Sequence, residues 1–135
     1  MSEATAAGPI ATGVLVEKSP EKLVLAVPGS DYRLQLVPTG AIDAGVNDRI
    51  SGTITAKAQR VDVIKAGGRY IEPVFGRPRR VQGRIIGGDV KANTLIVLAS
   101  VPVTVTLMPH QRAIQFATGQ MVSFDVEPGA GFQQA

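Results

Sequence analysis

The feature that most constrains this chain is an order of short apolar segments that occurs twice. The first series comprises Gly13–Val16, Leu23–Ala26, Tyr32–Pro38, Ala41-Ile42 and Ile50-Ser51, and the second comprises Gly83–Ile86, Leu95–Ala99, Val103–Pro109, Ala113-Ile114 and Val122-Ser123. Repetition on this scale indicates a duplicated structural unit. Aligning Ile50 with Val122 also aligns Ile54 with Val126, so the same alternate positions face inward in both copies.

Composition favours β-strands in both units. Val, Ile and Thr are abundant, aromatic residues make up only 4% of the chain, and 15 Gly and 9 Pro separate the apolar segments. β-branched residues suit a pleated surface, and Gly and Pro suit tight turns. No segment shows a sustained helical period of apolar residues. The sequence therefore predicts an all-β protein of two repeated β-meander units, which form one or two small barrels or share one barrel or sandwich.

The predicted boundaries are a flexible tail over residues 1–11, a first unit over 12–78, a second unit over 79–127 and a flexible tail over 128–135. In the first unit, a long strand changes its apolar phase after Arg60, which predicts a bulge or a corner. Ala66-Gly67-Gly68 is predicted to be the turn of a hairpin that joins Val61–Lys65 to Arg69–Val74. The second unit lacks this hairpin and is predicted to end after Val126.

The order of elements in the first copy is three successive strands, a short connector, a long bent strand and a closing hairpin. It covers Gly13 to about Val74, and the second copy matches it through the fourth strand. This order resembles the OB-fold, in which five strands form a Greek-key barrel. The resemblance implies small OB-like barrels with a helical link between the third and fourth strands, and we expect a single helical turn around Ala41 to Ala44.

Residues with catalytic or metal-binding chemistry are sparse. The chain has no cysteine, and its one histidine, His110, follows Pro109 at a strand end. The acidic residues are scattered, and no serine lies in a nucleophile-elbow sequence. We therefore expect no enzymatic activity, no catalytic residues, no metal site and no cofactor.

The chain carries no signal for a membrane or for export. No apolar run approaches the roughly 18 residues that span a bilayer. Met1 to Ile10 has neither a basic flank nor an apolar centre, so it does not resemble a secretory signal. We expect a cytoplasmic protein that does not associate with membranes.

The net charge of +3 is mild for a protein that binds nucleic acid.

One segment has an unusual composition, from Gly67 to Arg84 at the junction of the two copies. It combines arginines with aromatic residues and contains one acid, Glu72. Guanidinium groups bind phosphates in bidentate geometry, and aromatic rings stack on unpaired bases. Lys57, Arg60 and Lys65 lie just upstream and could extend a basic stripe. The predicted site for single-stranded nucleic acid or another polyanion consists of Arg69, Tyr70, Phe75, Arg77, Arg79, Arg80 and Arg84.

Two other interpretations account for the same residues. The arginines could simply be solvated side chains on an exposed linker, where surface ion pairs contribute about 0–1 kcal/mol. Alternatively, the continuous apolar runs Leu23–Val27 and Leu95–Ala99 indicate burial on both faces. In so small a protein, that burial could reflect a homo-oligomer or a protein partner. The alternative function is thus a structural or protein-interaction module that uses its sheet edges.

Overall fold

A computed structural model describes residues 9–135. The described chain is all-β, and its strands belong to one mixed sheet of 11 strands. The strands are β1 (Ala11–Lys18), β2 (Leu23–Ala26), β3 (Arg33–Pro38), β4 (Arg49–Ile64), β5 (Tyr70–Glu72), β6 (Phe75–Gly76), β7 (Arg80–Asp89), β8 (Thr94–Leu98), β9 (Pro102–Thr106), β10 (Met121–Val126) and β11 (Gly131–Gln134). None of the described helical segments is long and apolar enough to cross a membrane.

The first half of the chain contributes four strands to a closed ring of five. β1, β2 and β3 are a meander of antiparallel strands, and β4 returns to pair with β1. This arrangement is a Greek key, in which the fourth strand lies beside the first. β11 fills the remaining gap, since it pairs parallel to β3 and antiparallel to β4. We call this circuit ring one.

The second half forms a ring with the same pairings. β7, β8 and β9 are the meander, and β10 returns to pair with β7. The closing strand is the C-terminal part of β4, which pairs parallel to β9 and antiparallel to β10. We call this circuit ring two. Each ring thus takes its fifth strand from the other half of the chain, and β4 belongs to both.

The two rings also share their pairing register. Gly13 is opposite Ile50 in ring one, and Gly83 is opposite Val122 in ring two. The first hairpin of each ring has a bulge at the corresponding position, after Leu15 and after Ile85. This register agrees with the match between Ile50 and Val122 expected from the sequence. The origin of the two units by duplication stays a prediction.

The predicted phase change in the long strand is confirmed. Alternate residues of β4 are buried from Ile50 to Ala58, and the next buried residue is Val61. Ala58 is opposite Val126 and Val61 is opposite Phe124, so a single β10 residue faces two residues of β4. The extra residue is a bulge, and it resets the face that points into the core.

The predicted hairpin between β4 and β5 is wrong. β5 pairs with β7, where Ile71 is opposite Val81, and it does not pair with the end of β4. One edge of that end pairs with β10. At Val61 the other edge is occupied by the side chain of Gln111, whose Oε1 accepts from the Val61 N–H at 2.8 Å and whose Nε2 donates to the Val61 carbonyl at 2.9 Å.

The predicted flexible tail over residues 128–135 is also wrong, whereas β10, the last strand of ring two along the chain, does end at Val126. Residues 131–134 form β11, and Phe132 is fully buried in ring one. The side chain fits because Gly52, two residues along β4 from its register partner Ile54, has no Cβ; a Cβ there would lie 2.5 Å from the Phe132 ring. At the other terminus, residues 1–8 of the predicted tail lie outside the described residues, whereas Ala11 begins β1 and is buried.

The helical turn expected near Ala41 is absent, because residues 39–48 form no helix. In the corresponding connector of ring two, Ala113–Gln115 is a single 3₁₀ turn.

The cores of the rings are mainly aliphatic. The largest fully buried side chains are Phe124, Phe132, Leu15, Leu23, Leu25, Leu34, Leu36, Ile71 and Ile85, with Val81, Val97 and Val105.

Candidate nucleic-acid interface

Five of the seven residues predicted to form one site fall into two groups, and the first group lies on the outer face of β7 and on the neighbouring strand β5. Val81, Gly83 and Ile85 of β7 point into ring two. Because side chains alternate along a strand, Arg80 and Arg84 project from the opposite face. β7 lies between β5 and β10, so this face is bordered by side chains from both neighbours.

Arg80 is held by contacts within the protein. One of its terminal nitrogens donates to Asp125 Oδ1 at 2.7 Å, and the other donates to Ser123 Oγ at 2.6 Å. Ser123 is only 3% exposed although it is polar, which the arginine above it explains. The hydrogen bond to Asp125, with a further contribution from Tyr70, raises the pKa of Arg80. Its charge is therefore offset within the fold.

Tyr70 and Arg84 are engaged in the same way. The Tyr70 hydroxyl donates to Gln82 Oε1 at 3.1 Å, and Tyr70 is half-buried. Arg84 donates to the Gly119 carbonyl at 2.8 Å. These side chains connect β5 and the turn before β10 to β7. The outer face of β7 is therefore a polar surface with internal partners for its cations.

The second group lies on the segment between β5 and β7, which reaches across to ring one. β6 pairs parallel to β3, and Phe75 is opposite Arg33. The Arg33 N–H donates to the Val74 carbonyl at 2.8 Å, and Pro78 is buried behind the segment. Gly76 has φ +115°, which suits glycine, and it lets the chain turn back after Phe75.

Phe75 and its neighbours are exposed. The Phe75 side chain is 63% exposed, and Arg33 and Arg77 are also exposed. Because Arg33 and Phe75 are register partners, their side chains leave the two strands on the same side. Neither arginine forms an ion pair with a described residue. We call these three residues, Arg33, Phe75 and Arg77, the Phe75 surface.

The remaining predicted residues are separate from this surface or at its margin. Arg69 is exposed in the coil before β5. Arg79 is exposed after Pro78, and its N–H donates to the Glu72 carbonyl at 2.8 Å. Of the upstream cations, Arg60 is paired with Asp62 at 3.0 Å. The structure therefore places Phe75 and Arg77 on the segment that reaches ring one, whereas Arg80 and Arg84 lie on β7 of ring two.

Arg33 is the residue that the sequence analysis missed. It lies far from the arginine-rich segment in the chain, and only the pairing of β3 with β6 places it beside Phe75. The alternation of Leu34 and Leu36 with Arg33 and Gln35 does predict that Arg33 faces outward. No pattern in the sequence indicates its neighbour, because a two-residue strand such as β6 carries no periodic signal.

Among residues 9–135 there is no cluster of three or more side chains that could bind a metal ion. Comparisons with family models, curated proteins and solved structures give no significant match to this chain.

Proposed function

We propose that this protein is a non-catalytic module that binds single-stranded nucleic acid, or a similar polyanion, at the Phe75 surface. The observation that carries the proposal is the pairing of β3 with β6, which places an aromatic ring that is 63% exposed next to an unpaired arginine. An exposed aromatic side chain flanked by cations is the combination that single-strand binding uses.

Each component contributes a different part of the binding. Stacking of one base on Phe75 is worth about 1–3 kcal/mol and is insensitive to sequence. Arg33 and Arg77 bind phosphates in bidentate geometry and neutralise their charge. Tyr70, Arg80 and Arg84 then belong to the framework of ring two, because their polar groups already have partners in the protein.

We further propose that the rings are OB-like. Their support is the Greek-key order in each half and the closure of each circuit by a fifth strand. OB-folds bind oligonucleotides on the face of their second and third strands. Arg33 lies on β3, beside β2, so the Phe75 surface occupies the corresponding place in ring one.

The proposal is tested with a fluorescein-labelled thymidine dodecamer and anisotropy at low salt. Binding should weaken as salt rises, with a slope of about −0.7 in the log–log plot for each phosphate neutralised. Arg33→Ala/Arg77→Ala should reduce the magnitude of this slope by about 1.4, because two phosphate contacts are lost. Phe75→Ala should weaken binding by about 5- to 100-fold and leave the slope unchanged.

Lys91→Ala is the matched control, since it removes an exposed cation in the β7–β8 turn and leaves the Phe75 surface intact. Its dodecamer affinity should stay close to that of the parent protein. If the parent protein shows no binding at low salt, the nucleic-acid function is refuted. If binding persists unchanged in Arg33→Ala/Arg77→Ala, the surface is wrong.

A protein-interaction role is the second candidate, and one apolar groove in ring two favours it. The groove lies between the β7–β8 turn and the 3₁₀ turn, and it is lined in part by Val90 and Ile114, which are 57% and 73% exposed. The edges of the sheet favour this role less. Among the described strands, β5 and β6 each have a single partner, and both are too short to offer a long free edge. Sedimentation of Ile114→Asp and the parent protein over a range of concentrations tests it, and a strict monomer in both would refute self-association.

A further inference from the structure

An open depression lies on the ring-two side of the segment that carries Phe75, and Val74, the residue before Phe75, is part of its lining. It is lined by Glu72, Pro73, Val74, Arg79, Arg80 and Asp125. The segment that carries Phe75 forms one wall, and the edge of β7 and β10 forms the other. A base next to one that stacks on Phe75 would therefore meet this depression.

The charged groups in the depression differ in what they already bind. Arg80 is the cross-strand partner of Glu72, but both of its terminal nitrogens are directed to β10, at Asp125 and Ser123. Consequently the Glu72 carboxylate forms no ion pair with any described residue, and neither does the Arg79 guanidinium. One acceptor group and one donor group are left open at the same place.

A backbone hydrogen bond holds the two residues that carry these open groups next to each other. The Arg79 N–H donates to the Glu72 carbonyl at 2.8 Å, so the two residues face each other across the base of the loop. Between them in sequence, Pro73 and Val74 supply apolar surface, and Val74 is 42% exposed. The depression thus offers an apolar floor, a carboxylate and a guanidinium to a planar ligand.

We propose that this depression is a subsite for a guanine base. Guanine presents two adjacent donors, N1–H and N2–H, on one edge and two adjacent acceptors, O6 and N7, on the other. The Glu72 carboxylate would accept from the donor edge, and the Arg79 guanidinium would donate to the acceptor edge. This inference rests on the proposed function, because the base reaches the depression as part of a strand bound at Phe75.

The other bases match the two groups less well. Adenine, cytosine and thymine do not combine two adjacent donor atoms at one place with two adjacent acceptor atoms at another. None of them can satisfy both oxygens of a carboxylate and both arms of a guanidinium at the same time. A polar site that leaves one of its groups unpaired discriminates strongly against the wrong ligand.

The experiment uses thymidine hexamers that carry one varied central base, which avoids the self-association of guanine-rich strands. The hexamer with guanine should bind about 5- to 100-fold more tightly than those with adenine, cytosine or thymine, the range expected for a bidentate base contact. Hypoxanthine lacks the N2 amino group, so its hexamer should bind about 10-fold less tightly than the guanine hexamer.

Two variants assign the preference to named side chains. Glu72→Gln should abolish the preference for guanine, because an amide cannot accept from both donors, and Arg79→Lys should reduce it, because an ammonium has no fork. Glu21→Gln is the control, since Glu21 is exposed in the β1–β2 turn, on ring one. The control should retain the full preference.

The outcomes separate this inference from the proposed function. Equal affinity for all four hexamers overturns the guanine subsite and leaves single-strand binding in place. Absence of binding to every hexamer and to the dodecamer overturns both. If guanosine monophosphate binds as tightly as the guanine hexamer, and Glu72→Gln weakens it, then the subsite is supported and the ligand is a free nucleotide instead of a strand.

Discussion

The two rings have the same strand order, but the phenylalanine in their cores comes from different strands. It lies on the fifth strand in ring one and on the fourth strand in ring two. In ring one, Phe132 of the fifth strand packs on Gly52 of the fourth. In ring two, the pairing register places Phe124 where ring one has Gly52, and Ala58 where ring one has Phe132. Each ring thus contains one phenylalanine at this level. The comparison shows that both rings fill this part of the core with one phenylalanine, although its position in the strand order differs.

The connectors of the rings are also fastened by different devices. In ring one, Lys18 Nζ donates to the Ile42 and Ala44 carbonyls, both at 2.9 Å. The corresponding position in ring two is Gly88, which has no side chain to do this. There, Asn93 Nδ2 donates to the Gln111 carbonyl at 2.8 Å, and its Oδ1 accepts from the Ala113 N–H at 2.7 Å.

The outer faces differ in charge. β3 of ring one presents Arg33 and Gln35, whereas β9 of ring two presents Thr104 and Thr106. Ring two has no counterpart of β6 among the described strands. The proposed ligand surface on the third strand is therefore specific to ring one, while β7 and β10 of ring two contribute residues to the proposed guanine subsite.

The largest effect is expected from Phe132→Ala. Removing this ring from the closing strand of ring one should lower the free energy of unfolding by about 3–5 kcal/mol. Urea denaturation measures the loss, and hydrogen exchange shows where it occurs. Because β4 belongs to both rings, both should lose protection together. If the amides of ring two alone stay protected from exchange, the two rings unfold independently. Phe75→Ala, at an exposed position, is the control and should cost less than about 0.5 kcal/mol.

Gly52→Ala should have the next largest effect. The new Cβ would lie 2.3 Å from the Gln133 carbonyl oxygen, a backbone atom that cannot move aside. We expect a loss of about 1–3 kcal/mol in unfolding free energy. Gly40→Ala is matched to it, because a Cβ there has no heavy atom within 4 Å. Similar stabilities for the two variants would contradict the tight fit between β11 and β4.

Gln111→Leu and Lys18→Met compare a side chain that pairs with buried backbone groups of Val61 and one that pairs with exposed backbone carbonyls. Gln111→Leu leaves the buried N–H and carbonyl of Val61 without partners, which should cost about 1–3 kcal/mol in unfolding free energy. Lys18 is exposed, so water can replace it, and Lys18→Met should cost less than about 1 kcal/mol. Thermal denaturation ranks the variants, and a larger loss for Lys18→Met would reverse the assignment.

The smallest effect is expected from Arg80→Met. Its ion pair with Asp125 is partly exposed, so the unfolding free energy should fall by only about 0–1 kcal/mol. Dodecamer affinity should change less than it does in Arg77→Ala, since Arg80 is already occupied by β10. A loss of affinity equal to that of Arg77→Ala would show that Arg80 also contacts the nucleic acid.

The fold class and several local features could be predicted from the sequence, because they depend on short-range patterns. Alternation placed Leu34 and Leu36 inside, and the phase change after Arg60 located the β4 bulge. The third strands show the limit of such patterns. Leu36 is opposite Leu23 while Val105 is opposite Leu95, so the alignment of Pro38 with Pro109 is displaced by two residues. A displacement by an even number of residues keeps each side chain on the correct face of the strand. The alternation of apolar and polar residues therefore cannot reveal it.

The exchange of fifth strands could not be predicted, because pairing between distant segments leaves no local trace. β11 has only four residues, and three of them are glycine or glutamine. Its partner β3 is distant in the sequence, since Thr39, just after β3, and Phe132 are 93 residues apart. Only part of the proposed site could be predicted, for the same reason. Composition identified Phe75 and Arg77, whereas Arg33 enters only through a long-range contact.

The closure of ring one by β11 has a consequence for biosynthesis. A chain that emerges from the ribosome in order exposes β1 to β4 long before the residues up to Gln134 are translated. Until then, the open sides of β3 and β4 are free to pair with other nascent chains. Ring two already has all of its strands once Val126 has emerged. The half that is made first is therefore the last to be completed.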